Sequence, residues 1–177
     1  FNEYYHLPHV HPDSINEVYC PPGTPDDTTG AYVSQFGPTE TTGGLLQDSK
    51  VDPLPVMKSL KGRNRNGVRY SWIFPNMTFA AGSDAVWVYE TYPLGPGRCR
   101  VGMTACFAPD TVAMAEFADR VPHYYERLDA AIAEDIPALE EQHEGLGSPF
   151  ARAGRFSPML EPNVAGFARW YAAQMQG

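Results

Sequence analysis

"VRYSWIF" (residues 68–74), "AVWVYETY" (85–92) and "RCRVGMTACF" (98–107) decide the fold of this chain. β-branched and aromatic residues dominate all three runs, and such side chains suit the pleated, half-buried surface of a sheet. Asn66-Gly67 is a turn signal ahead of the first run. Gly82-Ser83-Asp84 and "PLGPG" (93–97) separate the runs from one another. Connections this short demand antiparallel neighbours, so the pattern predicts a β-meander. The third run alternates, with Val101, Met103 and Ala105 on one face and Arg100, Gly102 and Thr104 on the other. That predicts a sheet covered on one side.

Upstream, residues 21–67 are broken by "PPGTPDD", "TTGG" and "VDPLP", and only "AYVSQF" (31–36) reads as a strand. Downstream the periodicity turns helical. Pro109-Asp110 opens a helix into "TVAMAEFADR", and a longer one is expected from about Pro122 through Gln142, stopping at Gly145. A last helix is expected over residues 162–175, with Val164, Phe167, Trp170 or Tyr171, and Met175 at helical spacing. A curved antiparallel sheet gripping long C-terminal helices, an α+β architecture, satisfies all of these signals.

The 177 residues suffice for one domain with a core, and 43% hydrophobic content is that of a globular protein. A formal net charge of −8 argues against nucleic acid and against an anionic membrane surface. No apolar run spans a bilayer and no signal peptide is evident, so no membrane partner is expected. Cys20, Cys99 and Cys106 are odd in number and widely spaced, which disfavours a disulfide framework or structural zinc and makes a reducing cytoplasm the expected location. The sequon at Asn76 lies beside a strand and is discounted on that ground. The basic loop "KSLKGRNRNG" (58–67) reads as a solvated run, with an acidic docking partner as the alternative. Opening at Phe1 without a methionine suggests that a further N-terminal portion belongs to the protein.

One carboxylate breaks the pattern of the long helix. At ~100° per residue, Leu128, Ile132 and Leu139 fall within about 40° of one another and define a buried stripe. Asp135 lies on that stripe, three residues after Ile132 and four before Leu139, while Glu134 is expected to point away. A buried carboxylate is costly unless it is paired or bound to a metal. Asp135 is therefore either satisfied by Arg127, a tyrosine or backbone donors, or it is a ligand. Pro137 is expected to bend the helix beside it.

The chain opens "FNEYYHLPHVHP", with His6, His9 and His11 close to Glu3. Pro8 and Pro12 forbid a long regular helix there, so the His6-x4-His11 spacing suits a bent segment turning two imidazoles toward one point. Two neutral imidazoles and one carboxylate form the facial ligand set of non-haem Fe(II).

Glu3-x2-His6-x4-His11 resembles the mononuclear-iron motif of the Rieske non-haem iron oxygenases, the α subunits of ring-hydroxylating oxygenases. "WIFPN" (72–76), "YPLGPGR" (92–98), "AEDIPALEEQHEGLGS" (133–148) and "FSPMLEPNVAGFARWYAAQM" (156–175) are similar to later parts of the same catalytic domain, in the same order. The resemblance implies a helix-grip (START/Bet v 1-like) sheet and a single mononuclear-iron catalytic domain over residues 1–177. It implies Fe(II) held by His6, His11 and Asp135. Glu3 would be the acid that carries electrons across a subunit boundary, and His9 would be exposed or one layer removed from the metal. The Rieske [2Fe–2S] cluster needs paired CxH and CxxH motifs. Neither occurs here, so the cluster would belong to an N-terminal domain of the parent protein.

The implied partners are O2, a small organic substrate, a reductase or ferredoxin, and sister subunits of a homotrimer. The implied reaction is hydroxylation or oxidative demethylation of an aromatic or quaternary-ammonium-like substrate, the Glu at position 3 being the hint toward the quaternary-ammonium kind. Trp72, Phe74, Tyr89, Met103 and Phe107 are candidate pocket walls. Two further readings stay open on the residues alone: a non-catalytic carrier of a small apolar ligand, and a zinc-dependent hydrolase built on the same three side chains.

Overall fold

The structure, a computed structural model, describes residues 9–12, 14, 15 and 30–176. Glu3, His6 and Cys20 lie outside the described residues. Five strands form one antiparallel sheet in the order β1-β2-β3-β4-β5: β1 Tyr32–Pro38, β2 Gly67–Ile73, β3 Met77–Ala81, β4 Val86–Gly95 and β5 Arg98–Cys106. Each strand pairs with its sequence neighbour in a meander; the runs 85–92 and 98–107 pair as expected, whereas 68–74 and 85–92 do not, because a further strand lies between them. β3 is the strand that the sequence reading lacked. Its "MTFAA" is short and weakly alternating, and it forms because the turn at Phe74–Asn76 returns it onto β2, Ile73 facing Met77.

Three helices follow: α1 Pro109–Val112, α2 Phe117–Leu146 and α3 Pro162–Gln176. The long helix starts five residues before Pro122 and runs through both Pro122 and Pro137. It ends at Leu146 with Gly147 as its cap, two residues beyond the expected stop. The α+β class is therefore as expected and consistent with a helix-grip arrangement. No helix among the described residues is long and apolar enough to cross a membrane.

Register fixes which side chains share a face. Gln35, Tyr70, Ala80, Trp87 and Ala105 form one transverse row, and Val33, Trp72, Thr78, Tyr89 and Met103 form the next row on the same side. α2 covers the first row: the Tyr124 ring lies 6.2 Å from Trp87 and 5.6 Å from Phe107. α3 covers the β1–β2 end, where Phe167 stacks on Trp72 at 4.3 Å and meets Phe74 at 5.2 Å. Asn163 Nδ2 donates to Gln35 Oε1 at 3.0 Å and fixes the start of that helix. Of the candidate walls, Trp72, Tyr89 and Met103 thus share a row, whereas Phe107 belongs to the core around Tyr124.

The core joins Leu45 and Leu54 from the irregular segment after β1 to Val68, Ala80, Ala85 and Trp87 of the sheet region and Tyr124 and Leu128 of α2. Beneath it sits a buried polar knot. Tyr124 Oη donates to Asp84 Oδ2, Thr42 Oγ1 donates to Asp84 Oδ1 at 2.7 Å, and the Leu54 N–H donates to Tyr124 Oη at 2.8 Å. Gly44 lets the backbone close on that ring, since a Cβ there would fall 2.4 Å from Tyr124 Cε1.

Two expectations about burial fail. Val101 and Met103 are exposed, because the β4–β5 hairpin extends past α2, which covers only the end carrying Trp87 and Ala105. Leu139 is 41% exposed. The inward face of α2 is Tyr124, Arg127, Leu128, Ala131 and Asp135, and every residue from 136 to 147 is exposed. The helix simply outruns the sheet after Asp135. The basic loop spends part of its charge locally, with Lys58 on Asp110 at 2.6 Å and Arg63 over the Phe36 ring.

Candidate metal centre

Asp135 is the last buried residue of α2, at 8% exposure. Opposite it stands His11, 5% exposed, on the N-terminal segment. That segment is tied to the body by the Ile15–Leu46 bridge and by the Gln47 N–H donating to the Ser14 carbonyl at 3.3 Å. The chain is helical at His9 and Val10 and leaves the helix at His11, as Pro12 requires. His9 is exposed.

His11 Nε2 lies 3.1 Å from Asp135 Oδ1, and His11 Nδ1 lies 2.7 Å from Glu134 Oε2. Two consecutive carboxylates of one helix therefore hold opposite edges of one imidazole. Ser14 Oγ donates to the same Glu134 oxygen at 2.5 Å. Burial pulls the His11 value down, but hydrogen bonds to Asp135 and Glu134 and their negative charge outweigh it, and the net shift is upward. For Glu134, burial pushes up, while Ser14, His11 and the charge of Arg127 together bring it below the ordinary carboxylate range. The two directions agree: His11 and Glu134 hold each other in charged form.

This geometry fits a metal. Two donors bonded at about 2.1 Å and at right angles around one ion stand about 3.0 Å apart, close to the observed spacing of Nε2 and Oδ1. Ligating histidines also regularly give their other ring N–H to a carboxylate, which is what Glu134 accepts from Nδ1. Among the described residues, no third His, Cys, Asp or Glu completes a metal-holding group. The expected third ligand, His6, and the expected bridge, Glu3, lie outside the described residues.

Two residues stand differently from the sequence reading. Glu134 was expected to face solvent; it is half-buried and turned to His11 and Ser14. Its helical phase is indeed off the stripe, but the N-terminal segment lies along the flank of α2 and meets it there. Arg127 is 5% exposed and makes no hydrogen bond to Asp135, so it is not the partner that would have explained the aspartate away. Its position was detectable: Arg127, Ala131 and Asp135 recur every four residues along one row of the helix. Its charge acts on Glu134 and on Tyr89, whose phenol is pushed up by burial and by Asp135 and pulled down by Arg127.

A family model described as the ring hydroxylating alpha subunit (catalytic domain) matches the chain across residues 1–177. No curated protein matches it.

Proposed function

As a member of the ring-hydroxylating α-subunit catalytic-domain family, this chain is an oxygenase domain, and we propose that it hydroxylates or oxidatively demethylates a small organic substrate at a mononuclear Fe(II). The observation that carries the reading is the meeting of His11 and Asp135, from opposite ends of the chain, at 3.1 Å. His11 and Asp135 supply two of the ligands, and His6 supplies the third. When bound, Fe(II) provides the open coordination positions at which O2 is activated.

The chain's own residues do the positioning. Glu134 holds the His11 proton on Nδ1, so that on loss of the Nε2 proton the Nε2 lone pair would be free for the metal, the tautomer that ligation needs. Ser14 in turn holds the Glu134 carboxylate by donating to it. Tyr124, Leu128 and Ala131, buried on the preceding turns, set the rotation of α2 and so aim Asp135. Thr78 and Tyr89 lie in register between the side chains covered by α2 and those covered by α3. That placement suits them to line the substrate's approach, with Met103 beside them.

A Rieske [2Fe–2S] cluster in the parent protein would supply the electrons, with a reductase or ferredoxin as its donor and Glu3 as the bridging acid at the interface of a homotrimer. Residues 1–177 form the mononuclear-iron domain of that protein, which works in the cytoplasm.

Anaerobic Fe(II) titration with metal analysis tests the site. The wild-type chain is expected to bind one iron, and Asp135→Ala and His11→Ala to lose it. Stoichiometric zinc with hydrolytic turnover would replace this reading by a hydrolase, and no metal affinity at all would leave a ligand carrier.

A further inference from the structure

Arg127 is the one charged residue of the α2 inward face that the iron reading leaves without a task. Its side chain comes from the buried row that leads to Asp135, two helical turns earlier. The residue is 5% exposed, and its Nε is buried with no hydrogen-bond partner among the described residues. A guanidinium carries five donors and stays charged, so burying it with a donor unmet is costly. Buried charges persist where a counter-ion and hydrogen bonds compensate them.

The nearby carboxylates do not fill this role by direct contact. Glu134 spends Oε2 on His11 and Ser14, and Asp135 turns Oδ1 to His11. Glu134 and Arg127 act on each other only through space. Tyr89, in the field of both Arg127 and Asp135, is a half-buried phenol on the adjoining sheet row. Phenol and guanidinium are both donors, and the row's other members are Thr78 beside Tyr89 and the apolar Val33, Trp72 and Met103.

We propose that Arg127 anchors the carboxylate of an anionic substrate, a small organic acid with an apolar body, beside the His11–Asp135 pair. Nε and one Nη offer the paired donors that match the two oxygens of a carboxylate, and the donor left unmet is that Nε. Tyr89 adds a third donor, and the apolar members of the row receive the body of the acid. A cationic, quaternary-ammonium substrate without a carboxylate would meet a buried positive charge and is disfavoured.

The inference rests on the oxygenase reading for what then happens to the acid, but not for its binding. The test therefore uses the metal-free chain, which keeps carboxylates from binding iron directly. Benzoate and its neutral isostere benzamide are titrated by isothermal calorimetry into wild type, Arg127→Met and Arg127→Lys. Wild type should prefer benzoate by about 10-fold or more, as expected for a lost pair of charge-assisted hydrogen bonds. Arg127→Met should erase that preference by bringing benzoate affinity down to that of benzamide or below, and Arg127→Lys should retain a fraction of it.

Equal affinity of wild type for the two probes overturns the proposal, as does a benzoate preference that survives in Arg127→Met. Should Arg127→Met not fold, the wild-type preference and its reduction to a fraction in Arg127→Lys decide by themselves. Iron titration on the same protein separates the two readings. Benzoate preference without iron binding removes the oxygenase alone, and iron binding without the preference removes the carboxylate anchor alone.

Discussion

Removing one oxygen atom, by Tyr124→Phe, should destabilise this domain far from the proposed metal. Tyr124 is fully buried, and its hydroxyl both donates to Asp84 and accepts from the Leu54 N–H at 2.8 Å. Burial and the adjacent Asp84 push its ionisation far above the ordinary range, so the hydroxyl remains a donor. Phenylalanine keeps the ring contacts with Trp87 and Phe107 and deletes only the hydroxyl. A hydrogen bond to a charged group contributes about 1.5–3 kcal/mol, and an orphaned buried N–H costs about 1–3 kcal/mol. With partial relaxation the loss is about 3 kcal/mol, a large share of the 5–15 kcal/mol typical of a domain.

Urea denaturation followed by far-UV circular dichroism is the assay. At a slope of about 2 kcal/mol per molar urea, the midpoint should fall by about 1.5 M with the slope unchanged. Iron binding per folded chain should be unaffected. A midpoint shift below about 0.3 M would refute the claim that the buried knot stabilises the core.

Asp84 gives a pH signature of known sign. Burial raises its carboxyl above 3.8 despite the opposing hydrogen bonds from Thr42 and Tyr124. The folded state therefore holds this proton more tightly than the unfolded chain, and the Asp84 contribution to stability declines as pH rises from about 3.8 through the raised native value. The stability of wild type relative to Asp84→Asn should accordingly be greatest at low pH; a difference that grows with pH refutes the assignment. Phe167→Ala should cost about 2 kcal/mol, less than for a fully buried ring, and should change the near-UV signal of Trp72 and Trp170, because it removes the stack joining α3 to β2. Glu134→Gln should weaken Fe(II) about 10–100-fold in equilibrium titration without changing the fold, whereas wild-type affinity in that variant would deny it the orienting role.

The strands were legible wherever β-branched and aromatic residues ran between turn signals, and β1, β2, β4 and β5 all follow that chemistry. β3 was not, because "MTFAA" has little intrinsic strand character and owes its state to the pairing of Phe79 opposite Ser71 and Val88. Helical phase singled out Asp135 correctly because burying a carboxylate is anomalous on any helix. The same phase misjudged Leu139 and Glu134, since it assumes a neighbour along one face for the whole helix length. In the fold that neighbour ends at Asp135, and a second one, the segment bearing His11 and Ser14, arrives on the flank. Where separate elements stop and start against each other is a tertiary fact with no local signature. Arg127 shows the converse: its spacing put it on the buried row, but only coordinates reveal that its Nε is left without an acceptor.

Adjacent carboxylates gripping both sides of a single imidazole make the centre a gauge of helix roll. Their side chains leave the axis about 100° apart, so turning α2 in either sense lengthens at least one of the two bonds to His11. The angle is set upstream, where Leu128 packs into the core against the sheet and Ala131 is buried. Swapping an aliphatic side chain there for one of different bulk would thus loosen one side of that grip one or two turns away, touching neither the imidazole nor the acids.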